Sequence, residues 1–195
     1  MATLSTDYAA ASDALLAAWV AGGDRAAATA LVARHEQVVR SFLRRICFDQ
    51  SMVDDLAQET FLRLLRHADR YDPAYPMRTW LLTIARRLSI SAGEKKSRHN
   101  APEALAKAAK RPQEAEPALD RADHAAHTNR LLNLALAKLS EPQRTALTLF
   151  YQQNFSIEDM AQVMDMPAGT VKSHLHRARA ALQESLSPHA QEFMP

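Results

Sequence analysis

Residues 156–182 read SIEDMAQVMDMPAGTVKSHLHRARAAL, and this stretch decides what kind of fold the chain can have. Ser156 with Asp159 three residues on marks a helix start of the capping-box kind, and Pro167 suits the first turn of a second helix. A short brace helix joined by a tight turn to a second one is the layout of a helix-turn-helix. Steps of 100° along the second helix put Val171, Leu175, Ala178 and Leu182 on an inward stripe, with Ser173, His176, Arg177 and Ala180 opposite. Lys172, His174 and Arg179 flank that outward face. Between Ala168 and Leu182 stand three cations and no acid. Such a face suits phosphates at its edges and base edges at its centre. A merely solvated helix would carry the same cations, but the capped brace helix favours DNA reading.

The rest of the chain agrees with a helical protein. Four glycines in 195 residues, abundant Ala, Leu, Arg, Glu and Gln, and no sustained alternation predict an all-α fold. Upstream, SDALLAAWVAGG reads as a helix capped by Ser12 and ended by Gly22 and Gly23, and Asp24 caps a second helix through RAAATALVARHEQVVRSFLRRIC. Further helices follow in MVDDLAQETFLRLLRHADR and TWLLTIARRLSIS, separated by the loop YDPAYPMR. These four form one unit, residues 12–96. Residues 97–128 show no apolar period and read as a flexible linker with at most transient helix. Four short amphipathic helices then make a second unit, residues 129–187.

The net charge of +2 is too small to argue for nucleic acid by itself, so the placement of charge matters more. The one cysteine, Cys47, excludes an internal disulfide and reads as a small buried residue. The start of the chain lacks a basic, apolar leader and no apolar run approaches the roughly 20 residues of a membrane span, so a cytoplasmic location is expected.

Two helices of the first unit carry opposite chemistry. Beyond Val53, Ala57, Phe61, Leu64 and Leu65 share one side, whereas Asp55, Glu59, Arg63 and Arg66 line another, with Leu62 inside the polar stripe. Carboxylates repel phosphate, so this face suits protein docking; a solvated helix with a Glu59–Arg63 pair explains the same spacing. On the helix from Thr79, Leu81, Ile84, Leu88 and Ala92 face inward, Trp80 sits at the edge, and Thr83, Arg86 and Arg87 face out. From Arg86 to Arg98 five cations oppose only Glu94, and a marginal Trp80 offers a flat face for an unstacked base, although most such tryptophans are partly buried core.

VDDLAQETFLRLLRHADRYDPAYPMRTWLLTIARRL resembles region 2 of an extracytoplasmic-function (ECF, group IV) sigma factor of bacterial RNA polymerase, and LSEPQRTALTLFYQQNFSIEDMAQVMDMPAGTVKSHLHRARAAL resembles region 4. The resemblance implies a non-enzymatic transcription initiation factor with three binding surfaces. Asp54, Asp55, Gln58, Glu59 and Leu62 would dock on the β′ clamp helices of core RNA polymerase. Tyr71, Asp72, Tyr75, Arg78, Trp80, Thr83, Arg86 and Arg87 would read and melt the −10 element. Lys172, Ser173, His174, His176 and Arg177 would read the −35 element, with Arg179 on phosphate. It further implies the β flap and promoter DNA as partners, an anti-sigma factor that is often membrane-bound, and neither cofactor, metal nor small-molecule substrate. Met77 stands where the family usually has an aromatic residue, Asp165 where it usually has glycine, and SISAGEKK replaces its aspartate- and arginine-rich end of region 2. Gly93 is expected to shorten or bend its helix.

A stand-alone helix-turn-helix regulator would explain the second unit but not the acidic helix beside a basic one. An enzyme is disfavoured: no nucleophile, base and acid set and no glycine phosphate loop is present, and His124 and His127 fall in the expected linker, where solvated residues outnumber ligands.

Overall fold

The structure, a computed structural model, describes residues 7–47, 49–99 and 121–189. Among them are eight α-helices and no strand: α1 (Asp13–Ala21), α2 (Arg25–Ile46), α3 (Val53–Arg66), α4 (Met77–His99), α5 (Arg121–Ala137), α6 (Glu141–Leu147), α7 (Ile157–Met164) and α8 (Ala168–Leu186). No helix among the described residues is long and apolar enough to cross a membrane.

Local chemistry sets the helix starts. Ser12 Oγ accepts from Leu15 N at 3.2 Å, and Asp24 Oδ1 accepts from Ala26 N and Ala27 N at 2.8 and 3.0 Å, each satisfying donors that an uncapped helix leaves open. Gly23, at φ +90°, supplies the left-handed turn between α1 and α2. The segment ahead of α1 is tied down by Arg34, which donates to Tyr8 O, Ala9 O, Ala11 O and Asp13 Oδ1 at 2.8–3.3 Å.

In the first unit, Leu16, Leu31, Val39, Phe42, Leu43, Leu64, Leu81 and Leu82 are fully buried where α1, α2, α3 and α4 meet. Met77 is buried there too, its flexible thioether packed into the same core. Cys47 lies in the same core with Sγ 3.2 Å from Ser89 Oγ, and burial pushes its thiol above the usual range. At pH 8, iodoacetamide is therefore expected to label denatured protein fully while leaving the folded chain unlabelled, as read by intact mass. Equal labelling would take Cys47 out of the core.

The second unit packs Leu149, Met160, Val163, Met164, Val171, Leu175 and Ala178. A five-residue π-helical turn, Thr148–Gln152, continues α6. Asp165, with φ 55° and ψ 50°, makes the left-handed residue between α7 and α8, and Met166 N returns to Ala161 O at 3.1 Å. Aspartate thus serves where glycine is usual, as its tolerance of this region allows.

Two expected helix limits differ from the structure. α4 runs unbroken past Gly93 to His99. α5 begins at Arg121, inside the expected linker, and carries His124 and His127 on helix; Ala, His and Arg form it without an apolar period. Residues 100–120 of that linker lie outside the described residues, as does the side chain of His124.

The units are not separate. Their buried apolar residues form one continuous cluster, with α4 against α7 and α2 against α6. Polar ties cross the same boundary: Arg144 Nε donates to Ile46 O at 3.2 Å, Arg45 Nη1 to Asn133 Oδ1 at 2.8 Å and Gln153 Nε2 to Ser41 Oγ at 3.3 Å.

Candidate polymerase and nucleic-acid interfaces

On α3 the apolar period buries Val53, Leu56, Ala57, Thr60, Phe61 and Leu64, which turns Asp54, Asp55 and Gln58 to solvent and leaves Glu59 half-buried. Leu62 is 38% exposed in their midst. Asp54 is bonded to Arg40 of α2, and Glu59 accepts from Arg63 Nε at 2.9 Å. Among the described residues, Asp55 and Gln58 have no such tie to a basic side chain. The expected docking stripe is therefore assembled, with two of its three acids already held in place.

Loop 71–76 and the start of α4 make the second surface. Asp72 Oδ1 accepts from Ala74 N at 2.9 Å, which shapes the turn, and Tyr71 Oη donates to Tyr75 O at 2.8 Å. Tyr71 stacks on Trp80 with ring centroids 5.6 Å apart, and burial pushes its phenol above the usual range. One face of Trp80 is thus covered, and the aromatic face left open is that of Tyr75, 46% exposed. Thr83 Oγ1 donates back to Thr79 O at 2.8 Å.

Beside the loop opens a cleft of about 530 Å³, bounded by Tyr71 and residues 73–78 on one side and by Asp13, Arg34 and His35 on the other. Asp13 holds both neighbours, Arg34 at 2.8 Å and His35 Nε2 at 3.1 Å. Sequence reasoning missed this wall. It comes from α1 and α2, far from the loop in the chain, and an Asp thirteen positions from the start has no spacing signal that links it to a loop at Tyr71.

Arg86 corrects the sequence expectation outright. Expected on the outward face of α4, it is 6% exposed, because that face is where α7 packs. Arg78 also turns to the second unit, lying 4.5 Å over the Phe155 ring, and Arg87 reaches Asp165 Oδ2 at 3.2 Å.

The third surface is α8. Val171, Leu175 and Ala178 are buried, and Lys172, Ser173, His176 and Arg177 line a shallow exposed recess of about 310 Å³. His174 is half-buried. Ser173 Oγ donates to Gly169 O at 3.0 Å, which leaves its lone pairs for an incoming donor. Arg179 is off this recess, over the rings of Phe150 and Tyr151 at 4.9 and 5.4 Å. The helix begins at Ala168 with Pro167 as its cap residue.

Two family models match the chain, Sigma-70 region 2 over residues 31–99 and Sigma-70, region 4 over residues 129–182. The chain belongs to the ECF sigma factors of the sigma-70 family. Among similar relatives, ECF RNA polymerase sigma factor EcfG of Rhodopseudomonas palustris is 34% identical over 76% of this chain and 78% of its own. ECF RNA polymerase sigma factor SigC of Mycobacterium tuberculosis is 34% identical over 96% of each. Among solved structures, CnrH in complex with the cytosolic domain of CnrY matches with a TM-score of 0.67 and 25% identity, over 90% of this chain and 97% of that one. The sigma factor RpoE of Bartonella quintana, in complex with the anti-sigma factor NepR, matches with a TM-score of 0.64 and 28% identity, over 80% and 94%. As an ECF sigma factor, the chain is an alternative initiation factor that directs transcription.

Proposed function

We propose that this sigma factor docks on the β′ clamp helices of core RNA polymerase through Asp54, Asp55, Gln58, Glu59 and Leu62. It reads the −10 element with loop 71–76 and the start of α4, and the −35 element with Lys172, Ser173, His174, His176 and Arg177. The observation that carries the reading is charge segregation: an exposed acidic stripe with Leu62 on α3 and an acid-free cationic recess on α8. The first repels phosphate and suits protein; the second attracts phosphate and presents donors and acceptors at base-edge reach. Holding two modest DNA sites on one chain raises the effective concentration of the second.

The cleft beside loop 71–76 has room for an unpaired base, with Tyr75 as an open stacking face and the Asp13, Arg34 and His35 wall as its polar edge. Arg179, held over two rings, acts by supporting the back of α8 more than by touching phosphate. An anti-sigma factor covering these surfaces is the expected inhibitor, supported by the CnrH and RpoE complexes.

The test is a footprint with reconstituted holoenzyme. Protection at −10 and −35 that requires core polymerase is expected; tight, specific footprinting by the free chain would make it a stand-alone regulator instead. In the same assay His176→Ala or Arg177→Ala is expected to weaken −35 dependence by about 1–3 kcal/mol. An unchanged promoter response would take the recess out of the reading face.

A further inference from the structure

The cleft beside loop 71–76 has two cations in its wall whose donors are already taken. Arg34 spends its two terminal nitrogens on Ala11 O, Asp13 Oδ1, Tyr8 O and Ala9 O at 2.8–3.3 Å. His35 Nε2 lies 3.1 Å from Asp13 Oδ2, and since a carboxylate only accepts, the ring donates there. Arg78, on the loop side, is directed at Gln153 O and the Phe155 ring. Tyr71 donates its own proton to Tyr75 O at 2.8 Å, so its phenol oxygen can only accept from anything else. What remains is Asp13, at the start of α1. Each of its oxygens holds one protein donor and has room for another, and 26% of the side chain is open. The two donors from α2 fix that carboxylate in one orientation, as a discriminating group requires. A wall that composition alone would describe as cationic thus meets the cleft with acceptors.

We propose that Asp13 discriminates among the bases that unstack into this cleft, accepting cytosine, adenine or guanine through an exocyclic amine and rejecting thymine. This rests on the assignment of loop 71–76 and the start of α4 to the −10 element. An unpaired base is read on its Watson–Crick edge. Cytosine, adenine and guanine each carry an amine there, and a carboxylate is a matched acceptor for it. Thymine carries one N–H between two carbonyl oxygens, so a carboxylate brought up to it faces oxygens that repel it. Arg34 and His35, the donors that could answer those carbonyls, are occupied. Tyr75 stacks on any base, so it supplies affinity while Asp13 supplies the choice.

A promoter fork selected with reconstituted holoenzyme is rebuilt with each of the four bases, and with uracil, at every non-template position of its −10 element. Binding is measured for holoenzyme carrying the full-length chain, D13N or Y75A. At one position thymine is expected to bind roughly 5- to 100-fold more weakly than the other three bases, the worth of one mismatched base edge. Uracil should be rejected equally there, since it has thymine's edge without the methyl group. D13N puts an amide N–H2 where the carboxylate stood, so it should narrow the gap to under about 3-fold at that position and at no other. Y75A should weaken all bases alike at the same position. Uracil accepted where thymine is refused means a clash with the methyl group and overturns the proposal, as does a thymine gap that D13N leaves unchanged. The scan on the unaltered chain decides the matter if D13N melts too low to measure: a position that rejects thymine and uracil together supports the acceptor wall, and the lack of one overturns it. A Y75A holoenzyme that binds every fork as the unaltered one does takes the cleft away from DNA and falls on the −10 assignment. The two failures are thereby told apart.

Discussion

Asp55→Arg combined with Glu59→Arg is expected to abolish co-elution with core RNA polymerase while the fold survives. Each reversal changes the local charge by two units, so the pair takes the three acidic positions of the stripe from −3 to +1. Like charges brought together across an interface cost several kcal/mol, and each 1.4 kcal/mol is about tenfold in affinity, so a loss of at least about 100-fold follows. Little opposes survival of the fold. Asp55 is exposed, and the Glu59–Arg63 pair is a partly exposed i,i+4 contact of a kind worth about 0.3–0.5 kcal/mol. Arg at position 55 also faces the positive end of α3, at about 0.3–1 kcal/mol. Asp54 is left alone because an arginine there would be driven against Arg40, confounding docking with stability. Co-elution at the wild-type level, with circular dichroism unchanged, would remove this face of α3 from the polymerase interface.

Arg144→Ala is expected to be the costliest single truncation of a charged residue for the free chain. Arg144 is 3% exposed, and burial holds its guanidinium below the usual arginine range, opposed by Glu141. It donates to Ile46 O at 3.2 Å and Leu139 O at 3.1 Å, closing the C-terminal end of α2 and the turn before α6. Truncation leaves both carbonyls without that donor in a dry setting, at about 1–3 kcal/mol for each unsatisfied group, and removes the packed stem as well. A loss of about 2–4 kcal/mol is therefore expected, which at about 2–4 °C per kcal/mol for a chain of this size lowers the melting temperature by roughly 5–15 °C. A shift under about 2 °C would mean that Arg144 sits in water. The contrast with Arg63 is the point: the same residue type matters by an order of magnitude more where carbonyl ends converge on it than where it pairs on a surface.

Much of this was legible in the sequence because it is local. Ser12, Asp24 and Ser156 cap helices through donors two or three residues away, and Asp165 takes its left-handed turn from its own short side chain. The apolar periods of α3 and α8 locate their buried stripes for the same reason. What could not be seen was what packs on a face. Helical spacing correctly puts Arg86 off the apolar stripe of α4 but says nothing of α7 lying against it, and so an outward arginine turns out to be an inward one. Trp80 was readable as marginal, but not that Tyr71 covers one face of it. The Asp13, Arg34 and His35 wall needed the tertiary fold itself, since only packing brings α1 beside loop 71–76. Only the start of α5, residues 121–128, escaped, because intrinsic propensity and not amphipathic pattern makes its first turns.

The π-helical turn at Thr148–Gln152 bears on how the chain tolerates insertions and deletions. Such a turn is an α-helix carrying one surplus residue, so deleting one residue there restores regular winding and costs α6 little by itself. Deleting a residue of regularly wound α6 instead would turn everything downstream by about 100°. Phe155 would no longer meet Arg78, nor Asp165 meet Arg87, and the cationic recess of α8 would point elsewhere. A one-residue deletion at the π turn should therefore be tolerated, whereas the same deletion inside α6, which packs on α8, should cost the second unit its core as well as its aim.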